Sequence, residues 1–405
     1  MDRQNKAAQR HCMVVHAYYP LAETRVQREA EALLKHGIEV DVICLGLPRE
    51  DAFEVVRGVN VYRLSAHRTE TGGNLARQLM EYLWFFILVA VKLTQLHLRR
   101  RYDVIQVHNL PDFLVFCTLI PRLGGTPVIL DIHDVSPEFF ADRAKRPMGS
   151  WLVRLVSWQE QLSCRFASHV ITVTEPWRQA LIRRGVPEHK SSVVMNVADS
   201  GVFNPAVRRR VATQRTNGTF RLIYHGVQSY RHGLDLLLRA MARLCPQIPE
   251  LRLTLHGEGN YHQELVRLVE ELGLAECVNL STKYVPISEL PSLIAVADVG
   301  VVPYRRDVFT DGILPTKLME YVSLKIPVIA SRTPAIDAYF DETMIEFFEP
   351  ESIDDLAGCI VRLYADETRR QQLVQGGQMF RQRYSWEKIS TDYVTLVKRL
   401  GAKGN

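Results

Sequence analysis

The sequence has none of the short motifs on which several large enzyme classes depend. There is no Walker-type phosphate loop, no G-x-S-x-G nucleophile turn, no H-E-x-x-H helix and no other zinc-ligand spacing. A D-x-D pair, which would hold a divalent metal against a diphosphate, is also absent. These absences argue against the corresponding enzyme classes, and they predict that no metal is required.

Cysteine is sparse and shows no pattern. The chain has seven cysteines, an odd number, without a C-x-x-C pair, and several of them (Cys12, Cys44, Cys117) stand in apolar runs. This is typical of buried free thiols in a reducing compartment. The polar start, MDRQNKAAQR, leads straight into the strand-like HCMVV and does not have the form of a signal peptide. We therefore expect a cytoplasmic protein.

The charge is moderate and not concentrated. A net charge of +5 over 405 residues, with no dense basic stripe, argues against nucleic acid as a partner. Most of the excess lies in the first half, which suits a surface that faces anionic lipid. The length exceeds what one hydrophobic core usually supports, and it predicts two or three domains.

The longest apolar run without a charge is YLWFFILVAV, residues 82–91. A membrane span needs about twenty such residues, so this run is too short to cross a bilayer. It could be a core helix or an interfacial helix that enters one leaflet. Because Arg99, Arg100 and Arg101 follow and suit anionic head groups, we favour peripheral association with the inner face of the membrane.

Strand and helix patterns alternate through both halves of the chain, which predicts an α/β fold with parallel sheets covered on both faces. We expect two Rossmann-like, doubly wound domains that face a cleft. Residues 1–200 would form the acceptor-side domain and residues 201–384 the nucleotide-sugar domain. Between them, residues 199–218 have the composition of a linker. Residues 385–405 would form a C-terminal helix that packs back on the first domain.

Ligands of such sheets bind beyond the carboxyl ends of the strands. Several polar or small residues fall at or just after predicted strand ends, namely His108, His133, Gly226, Gly257 and Pro303. We expect them to line one crevice from its two sides.

The segment DVFTDGILPTKLMEYVSLKIPVIASRTP, residues 307–334, carries the most functional information. Pro315 fits the first position of a helix, and the exposed N–H groups of a helix start bind anions such as phosphate. Lys317, two positions after Pro315, adds a cation. Glu320 and Tyr321, at i+3 and i+4 from Lys317, share its face, and Glu320 could accept hydrogen bonds from ribose hydroxyls. The combination predicts a site for a nucleoside diphosphate.

A second strand-to-helix junction, YHGVQSYRHGLDLLLRA, places Arg231 directly before a helix, where a cation opposes the helix dipole unless an anion binds there. Arg231 could be the fork donor of a diphosphate clamp, or a solvated loop charge. In LHGEGN, Gly257 could contact the ligand or only form a tight turn. In LDIHDVSPEFF, His133 could face the reacting sugar at the cleft floor, or be satisfied within its own loop.

These segments, taken in order, resemble the family-4 retaining glycosyltransferases of GT-B architecture. The resemblance covers nearly the whole chain and is strongest in LPTKLMEYVSLKIPVIAS. Bacterial members that build exopolysaccharide or other envelope glycans are the most similar. The resemblance implies transfer of a sugar from a nucleoside-diphosphate sugar to a glycan or lipid-linked acceptor, with retention of anomeric configuration and with no cofactor.

Site residues follow from the resemblance by position. His133, Arg231 and Lys317 would act on the transferred sugar and the diphosphate. Glu320 would bind the ribose, and the base would lie near Lys283 to Val285. The predicted donor-binding residues are Gly226, Gly257, Tyr284, Val285, Asp311, Gly312, Leu314, Pro315, Thr316 and Glu320.

The chain departs from the family pattern at two positions. Many members have two glutamates as E-x7-E, but the first position here is Gly312, with Asp311 beside it, and many have Arg where this chain has Val227. The missing glutamate leaves open a non-catalytic partner subunit that keeps the fold. A sugar-nucleotide epimerase on the same architecture is a further alternative.

Overall fold

A computed structural model of the protein describes residues 8–21, 23–66, 75–212 and 218–403. The chain forms two compact units: Met1–Met195 with Glu387–Asn405, and Asn196–Trp386. The division expected from the sequence stood at 200/201 and 384/385. Residues 1–7 of the polar start and residues 213–217 of the expected linker lie outside the described residues.

The first unit is built on an eight-stranded sheet. Its strands are β1 Arg10–Tyr18, β2 Glu39–Leu45, β3 Phe53–Val56, β4 Val59–Leu64, β5 Val104–His108, β6 Val128–Ile132, β7 His169–Thr172 and β8 Ser191–Val193. They lie in the order β3-β4-β2-β1-β5-β6-β7-β8, and every neighbouring pair is parallel except β3 with β4. The inner strands are runs of buried, mostly β-branched residues, as a sheet covered on both faces requires.

Helices cover this sheet. They are α1 Thr24–Lys35, α2 Leu75–Arg100, α3 Leu119–Leu123, α4 Ser136–Arg143, α5 Trp151–Phe166 and α6 Glu175–Arg183. A 3-10 segment, Asp112–Thr118, leads directly into α3. The described residues Glu387–Lys403 of the C-terminal helix also belong to this unit. There the hydroxyl of Tyr393 donates to Gln106 Oε1 on β5 at 2.6 Å.

The second unit holds a six-stranded, all-parallel sheet. Its strands are β9 Phe220–His225, β10 Leu251–His256, β11 Val278–Ser281, β12 Val299–Val302, β13 Val328–Ser331 and β14 Glu346–Phe348, in the order β11-β10-β9-β12-β13-β14. Its helices are α7 Pro205–Ala212, α8 Leu234–Leu244, α9 His262–Glu271, α10 Leu290–Ala295, α11 Thr316–Ser323, α12 Pro334–Asp337, α13 Ile353–Ala365 and α14 Glu367–Arg383. The last helix, α15 Trp386–Lys403, belongs to the first unit from Glu387 onward. Two parallel-sheet Rossmann-like domains confirm the predicted fold class.

Several local expectations are wrong. The exposed edge strand β3 was not predicted; it joins β4 through a two-residue turn in which Arg57 and Gly58 have positive φ, the geometry that hairpins favour. The expected linker contains α7, which packs against α10. Pro315 is the residue before α11, and the helix begins at Thr316.

The cysteines are not all free thiols. Cys245, directly after α8, and Cys277, directly before β11, form a disulfide, although 32 residues separate them. No short spacing in the sequence marks this pair, because the fold brings the two positions together. The remaining five cysteines (Cys12, Cys44, Cys117, Cys164 and Cys359) are free and buried.

The apolar run of residues 82–91 belongs to α2, a helix of 26 residues. By length and composition alone, Ala76–Arg100 could cross a membrane, because an 18-residue window within it has a mean hydropathy of 1.5. Lys92 and Gln95 interrupt the apolar run without ending the helix. Core helices of soluble proteins can have the same length and composition, so these two properties do not show that α2 spans a membrane.

Close packing between β12 and α11 fixes the position of α11 in the second unit. A Cβ added to Gly300 would lie 2.3 Å from the ring of Tyr321, so the strand must carry glycine there. The Tyr321 ring is fully buried. Its place against Gly300 sets the rotation of α11, and with it the direction of Lys317 and Glu320.

We expect Gly300→Ala to lower the free energy of unfolding by about 1–3 kcal/mol, because the added methyl overpacks the contact with Tyr321. Urea unfolding measures this change. Gly149→Ala is the matched control: no atom lies within 4 Å of the added methyl, so we expect a change within about 0.5 kcal/mol. Equal stabilities of the two variants would contradict the packing argument.

Candidate functional site

The candidate site of the second unit lies at the carboxyl ends of its strands, where α8 and α11 begin. The residues that precede the two helices are Gly233 and Pro315, and neither start has a side-chain cap. Uncapped N-terminal N–H groups and the positive end of the helix dipole favour an anion. Gly233 has a φ of 63°, and a Cβ there would lie 1.9 Å from the carbonyl oxygen of Pro303. The close approach of these two loops therefore depends on glycine.

Lys317 places a buried cation in this region. Its amine donates to the hydroxyl of Tyr304 at 2.8 Å and lies 4.7 and 5.0 Å from the ring centres of Tyr224 and Tyr304. Burial opposes its charge, but the two phenols outweigh that effect, so the pKa of Lys317 lies above its usual value. The side chain packs against Gly226, where a Cβ would lie 3.3 Å from Nζ. A positive charge thus stands directly beside the end of β9.

Glu320, one turn further along α11, is held by His225, the last residue of β9. His225 Nε2 lies 2.6 Å from Glu320 Oε2, and the Tyr321 hydroxyl lies 2.9 Å from His225 Nδ1. A carboxylate only accepts hydrogen bonds, so Nε2 donates to Glu320 and Nδ1 accepts from Tyr321. This chain of bonds fixes one carboxylate oxygen and orients the other.

The glycines after β9 and β10 allow the two loops to pack backbone against backbone. Gly257 has a φ of 136°, and a Cβ there would lie 2.1 Å from the carbonyl oxygen of Gly226; at Gly259 it would lie 2.0 Å from that of Gln228. Gln228 N–H also donates to the carbonyl of Glu258 at 2.8 Å. The packing alone therefore requires glycine at 257 and 259, whether or not Gly257 contacts a ligand.

Arg231 lies in a 3-10 turn, Tyr230–His232, before α8, with its guanidinium 5.1 Å from the centre of the Phe309 ring. Burial and Lys317 lower the pKa of His232 to about 3, and Arg231 acts in the same direction. His232 accordingly stays neutral between two cations. Asp235, in the first turn of α8, forms a bidentate pair with Arg305 at 2.7 and 2.8 Å and is thereby neutralised.

The loop before α11 contains Asp311, which the sequence offered as a substitute for the missing glutamate. Its carboxylate forms a bidentate pair with Arg306 at 3.0 and 2.8 Å, so it is already neutralised. Gly312 and Leu314 are buried, and Thr316, the first helical residue, is exposed. The loop after β11 contains Tyr284, whose side chain is 83% exposed, and the half-buried Val285.

His133, in the first unit, follows β6 and belongs to a buried charge cluster. Its Nε2 lies 3.2 Å from Asp131 Oδ2, and His108 Nδ1 lies 3.0 Å from the same oxygen. Arg25 holds Asp131 in a bidentate pair at 3.0 and 2.9 Å. Burial would raise the pKa of Asp131, but Arg25 and His133 outweigh it and keep that pKa well below its usual range.

The pKa values of the two histidines in this cluster shift in opposite directions. Burial lowers the pKa of His108 to about 4, although Asp131 opposes the effect. Burial also acts to lower the pKa of His133, but the charge and the hydrogen bond of Asp131 outweigh burial and raise this pKa. The side chain of His133 is 20% exposed, whereas that of His108 is fully buried. His133 is therefore the member that can carry charge at the surface.

The ligand atoms of His108, Asp131 and His133 lie within 4.8 Å of one another, close enough to hold a metal ion. The charge balance does not favour one, because Arg25 Nε already donates to Asp131 Oδ2, the oxygen that both histidines share. A cation there would meet the guanidinium at short range. The cluster fits an orienting role for His133 better than metal binding.

The sequence pattern did not indicate His225, Asp131 or Tyr304 as site residues. Each of them contacts a residue that the pattern did indicate. A charged residue inside the apolar strand VILDI was a usable signal for Asp131, because buried charges need partners. No such signal existed for His225, since its pairing with Glu320 spans 95 residues. The structure brings Gly226, Lys317 and Glu320 together, while His133 lies in the other unit.

Two family models match successive parts of the chain. Residues 22–196 match the Glycosyl transferase 4-like domain, and residues 208–379 match Glycosyl transferases group 1. Among solved structures, sucrose-phosphate synthase from Thermosynechococcus elongatus superposes with a TM-score of 0.78 at 21% identity, covering 97% of this chain and 99% of the synthase. That similarity establishes the GT-B fold.

Curated relatives cover different shares of the chain. GDP-mannose-dependent alpha-(1-6)-phosphatidylinositol monomannoside mannosyltransferase of Mycolicibacterium smegmatis is 32% identical over 145 residues, 34% of this chain and 37% of that enzyme. The alignment thus spans just over a third of that relative's length. Chitobiosyldiphosphodolichol beta-mannosyltransferase of Candida albicans is 22% identical over 362 residues, 82% of this chain and 76% of that enzyme.

We expect Asp131→Asn to destabilise the first unit by about 3–5 kcal/mol, because it removes the bidentate partner of the buried Arg25 guanidinium and leaves only Glu29 beside it. Urea unfolding measures the loss, and Asp142→Asn, which removes the partner of the largely exposed Lys145, is the control, with less than about 1 kcal/mol expected. In the same variant the pKa of His133, followed by NMR, should fall. An unchanged His133 titration would show that Asp131 does not set its charge.

Proposed function

Because the chain belongs to the family-4 glycosyltransferases and has the GT-B fold, we propose that it transfers a hexose-type sugar from a nucleoside-diphosphate sugar to a lipid-linked precursor of an exopolysaccharide or other cell-envelope glycan. The proposal includes retention of anomeric configuration, no metal requirement, and a place in the cytoplasm on the inner membrane face. The observation that supports it most is the position of α11. This helix places Lys317 against Gly226 and Glu320 against His225, at the end of β9.

Lys317 would stabilise the leaving diphosphate. As the bond between the anomeric carbon and the phosphate oxygen breaks, negative charge grows on that oxygen, and a fixed cation lowers the barrier without rearranging. A phosphate lying against the bare backbone of Gly226 would meet the amine of Lys317. Arg231 and the uncapped starts of α8 and α11 would add to the same field.

Glu320 would accept hydrogen bonds from the ribose hydroxyls. His225 holds Oε2, and among the described residues no protein donor is bonded to Oε1, so that oxygen is left for the nucleoside. Tyr284, with its exposed ring, would lie against the base, together with the backbone of Val285. Leu314, Pro315 and Thr316 would frame the helix start, while Asp311, paired with Arg306, would not contact the sugar.

The lipid-linked acceptor is supported by the names of two relatives. Both relatives carry lipid words in their names, phosphatidylinositol and diphosphodolichol, which supports a lipid-linked acceptor here. The same names contain alpha in one case and beta in the other. Retention therefore needs its own measurement, for which the anomeric proton coupling of the product by NMR is direct. His133, held by Asp131, would lie at the transferred sugar.

We expect Lys317→Met and Arg231→Ala each to lower turnover at least 10²-fold, about 2.7 kcal/mol or more, because each removes a cation from the leaving diphosphate. The donor is first identified by thermal shift with UDP, GDP, ADP and their sugar conjugates. Arg267→Ala, an exposed cation on α9, is the control and should keep normal turnover. Near-normal rates in both site variants, with folding intact, would overturn the clamp.

We expect Glu320→Gln to weaken nucleoside diphosphate binding about tenfold, ~1.4 kcal/mol, while binding of the 2′-deoxy counterpart changes less. Calorimetric titration measures both affinities. His225→Ala should lose part of the same preference for ribose, since Glu320 is then no longer oriented, and His225→Gln should recover it by donating from its amide. A preference for ribose that survives Glu320→Gln would remove Glu320 from the ribose site.

A further inference from the structure

The first unit exposes large apolar side chains on three helices. Trp84 and Ile87 of α2 are 54% and 52% exposed, Leu123 of α3 is 79% exposed, and Trp151, Leu155 and Trp158 of α5 are 72%, 52% and 58% exposed. We call these six residues the apolar face. Three of the five tryptophans in the chain belong to it. Exposure of so many large apolar side chains on neighbouring helices is unusual in a monomeric soluble protein and is typical of an interaction surface.

The three helices are neighbours in one layer. The 3-10 segment Asp112–Thr118 lies between them: its Phe113 contacts Tyr82 of α2 with ring centres 6.5 Å apart, and its Phe116 contacts Phe166 of α5 at 5.1 Å. The same segment runs into α3. Residues 151, 155 and 158 recur at helical spacing, so they share one side of α5.

The charge of these helices is one-sided. Their two acidic residues are not exposed: Glu160 is buried with its carboxylate against Arg184, and Glu81 is half-buried beside Arg77. Exposed cations remain at Arg99, Arg154 and Arg165. An apolar surface with a cationic border complements a bilayer that contains anionic lipid.

The packing of α2 favours lying on a membrane over crossing it. Phe85, Val89 and Leu93 are fully buried, and α2 packs on β1 and β4. A spanning helix would have to leave this contact and expose that side to lipid. With one side buried in protein and the other apolar and exposed, the helix instead presents one stripe to a surface parallel to its axis.

We propose that the apolar face is the membrane-docking surface of this protein and that its occupant is the head-group and upper acyl region of an anionic bilayer. Trp84, Trp151 and Trp158 lie at head-group depth, where indole rings are favoured, and the exposed arginines bind anionic head groups. The inference goes beyond the reaction, and it rests on the proposed function only for the location of the acceptor.

The test is sedimentation of the full chain with vesicles of phosphatidylcholine alone and of phosphatidylcholine mixed with phosphatidylglycerol. We expect binding to the mixed vesicles that weakens with salt, together with a blue shift of tryptophan fluorescence. The variant Trp151→Gln/Trp158→Gln should bind at least tenfold more weakly, because it removes two indole rings that would enter the bilayer. Val361→Gln/Met379→Gln, which changes exposed apolar residues of the second unit, is the matched control and should bind like wild type.

A charge variant separates the two contributions. Arg99→Gln/Arg154→Gln should lose about fivefold per arginine on the mixed vesicles and almost nothing on phosphatidylcholine alone. Nucleoside diphosphate binding should stay unchanged in every surface variant, so a failed transfer assay does not affect this outcome. Wild-type protein that binds neither vesicle, or a solution dimer that the double tryptophan variant splits without any vesicle binding, would overturn the proposal.

Discussion

The contact between α11 and the end of β9 is the constraint on which the candidate donor site depends. Tyr321 fits over Gly300, and this fit rotates the helix so that Lys317 lies on Gly226 and Glu320 reaches His225. The amine is buried, yet rings and a phenol hydroxyl keep it charged. A charge held in this way needs little rearrangement when an anion arrives, which is the condition for strong electrostatic stabilisation.

The two units handle buried charge differently. In the first unit, the buried Arg25 pairs with both Asp131 and Glu29, and Asp131 outweighs burial and raises the pKa of the partly exposed His133. In the second unit, the amine of Lys317 contacts phenol side chains, those of Tyr224 and Tyr304, and among the described residues it has no carboxylate partner. The carboxylates of Asp311 and Asp235 form ion pairs with Arg306 and Arg305, respectively. The uncompensated charge is thus positive and lies beside the glycine-rich strand end, where a diphosphate would be complementary.

The sequence predicted the fold class and the residues of α11 because both follow from local patterns: buried strands of β-branched residues, helix spacing, and a proline at a helix start. It could not predict the His225–Glu320 bond or the Cys245–Cys277 disulfide, since each joins positions that only the sheet order brings together. It missed β3 because this edge strand has only four residues, FEVV, too few to show a clear alternation.

The most direct test of the central claim is a crystal structure of the protein with its nucleoside diphosphate bound. The account predicts that the terminal phosphate lies against the backbone of Gly226, within hydrogen-bonding distance of Lys317 Nζ, and that the ribose hydroxyls meet Glu320 Oε1. A nucleotide bound elsewhere, with Lys317 still bonded only to Tyr304, would contradict it.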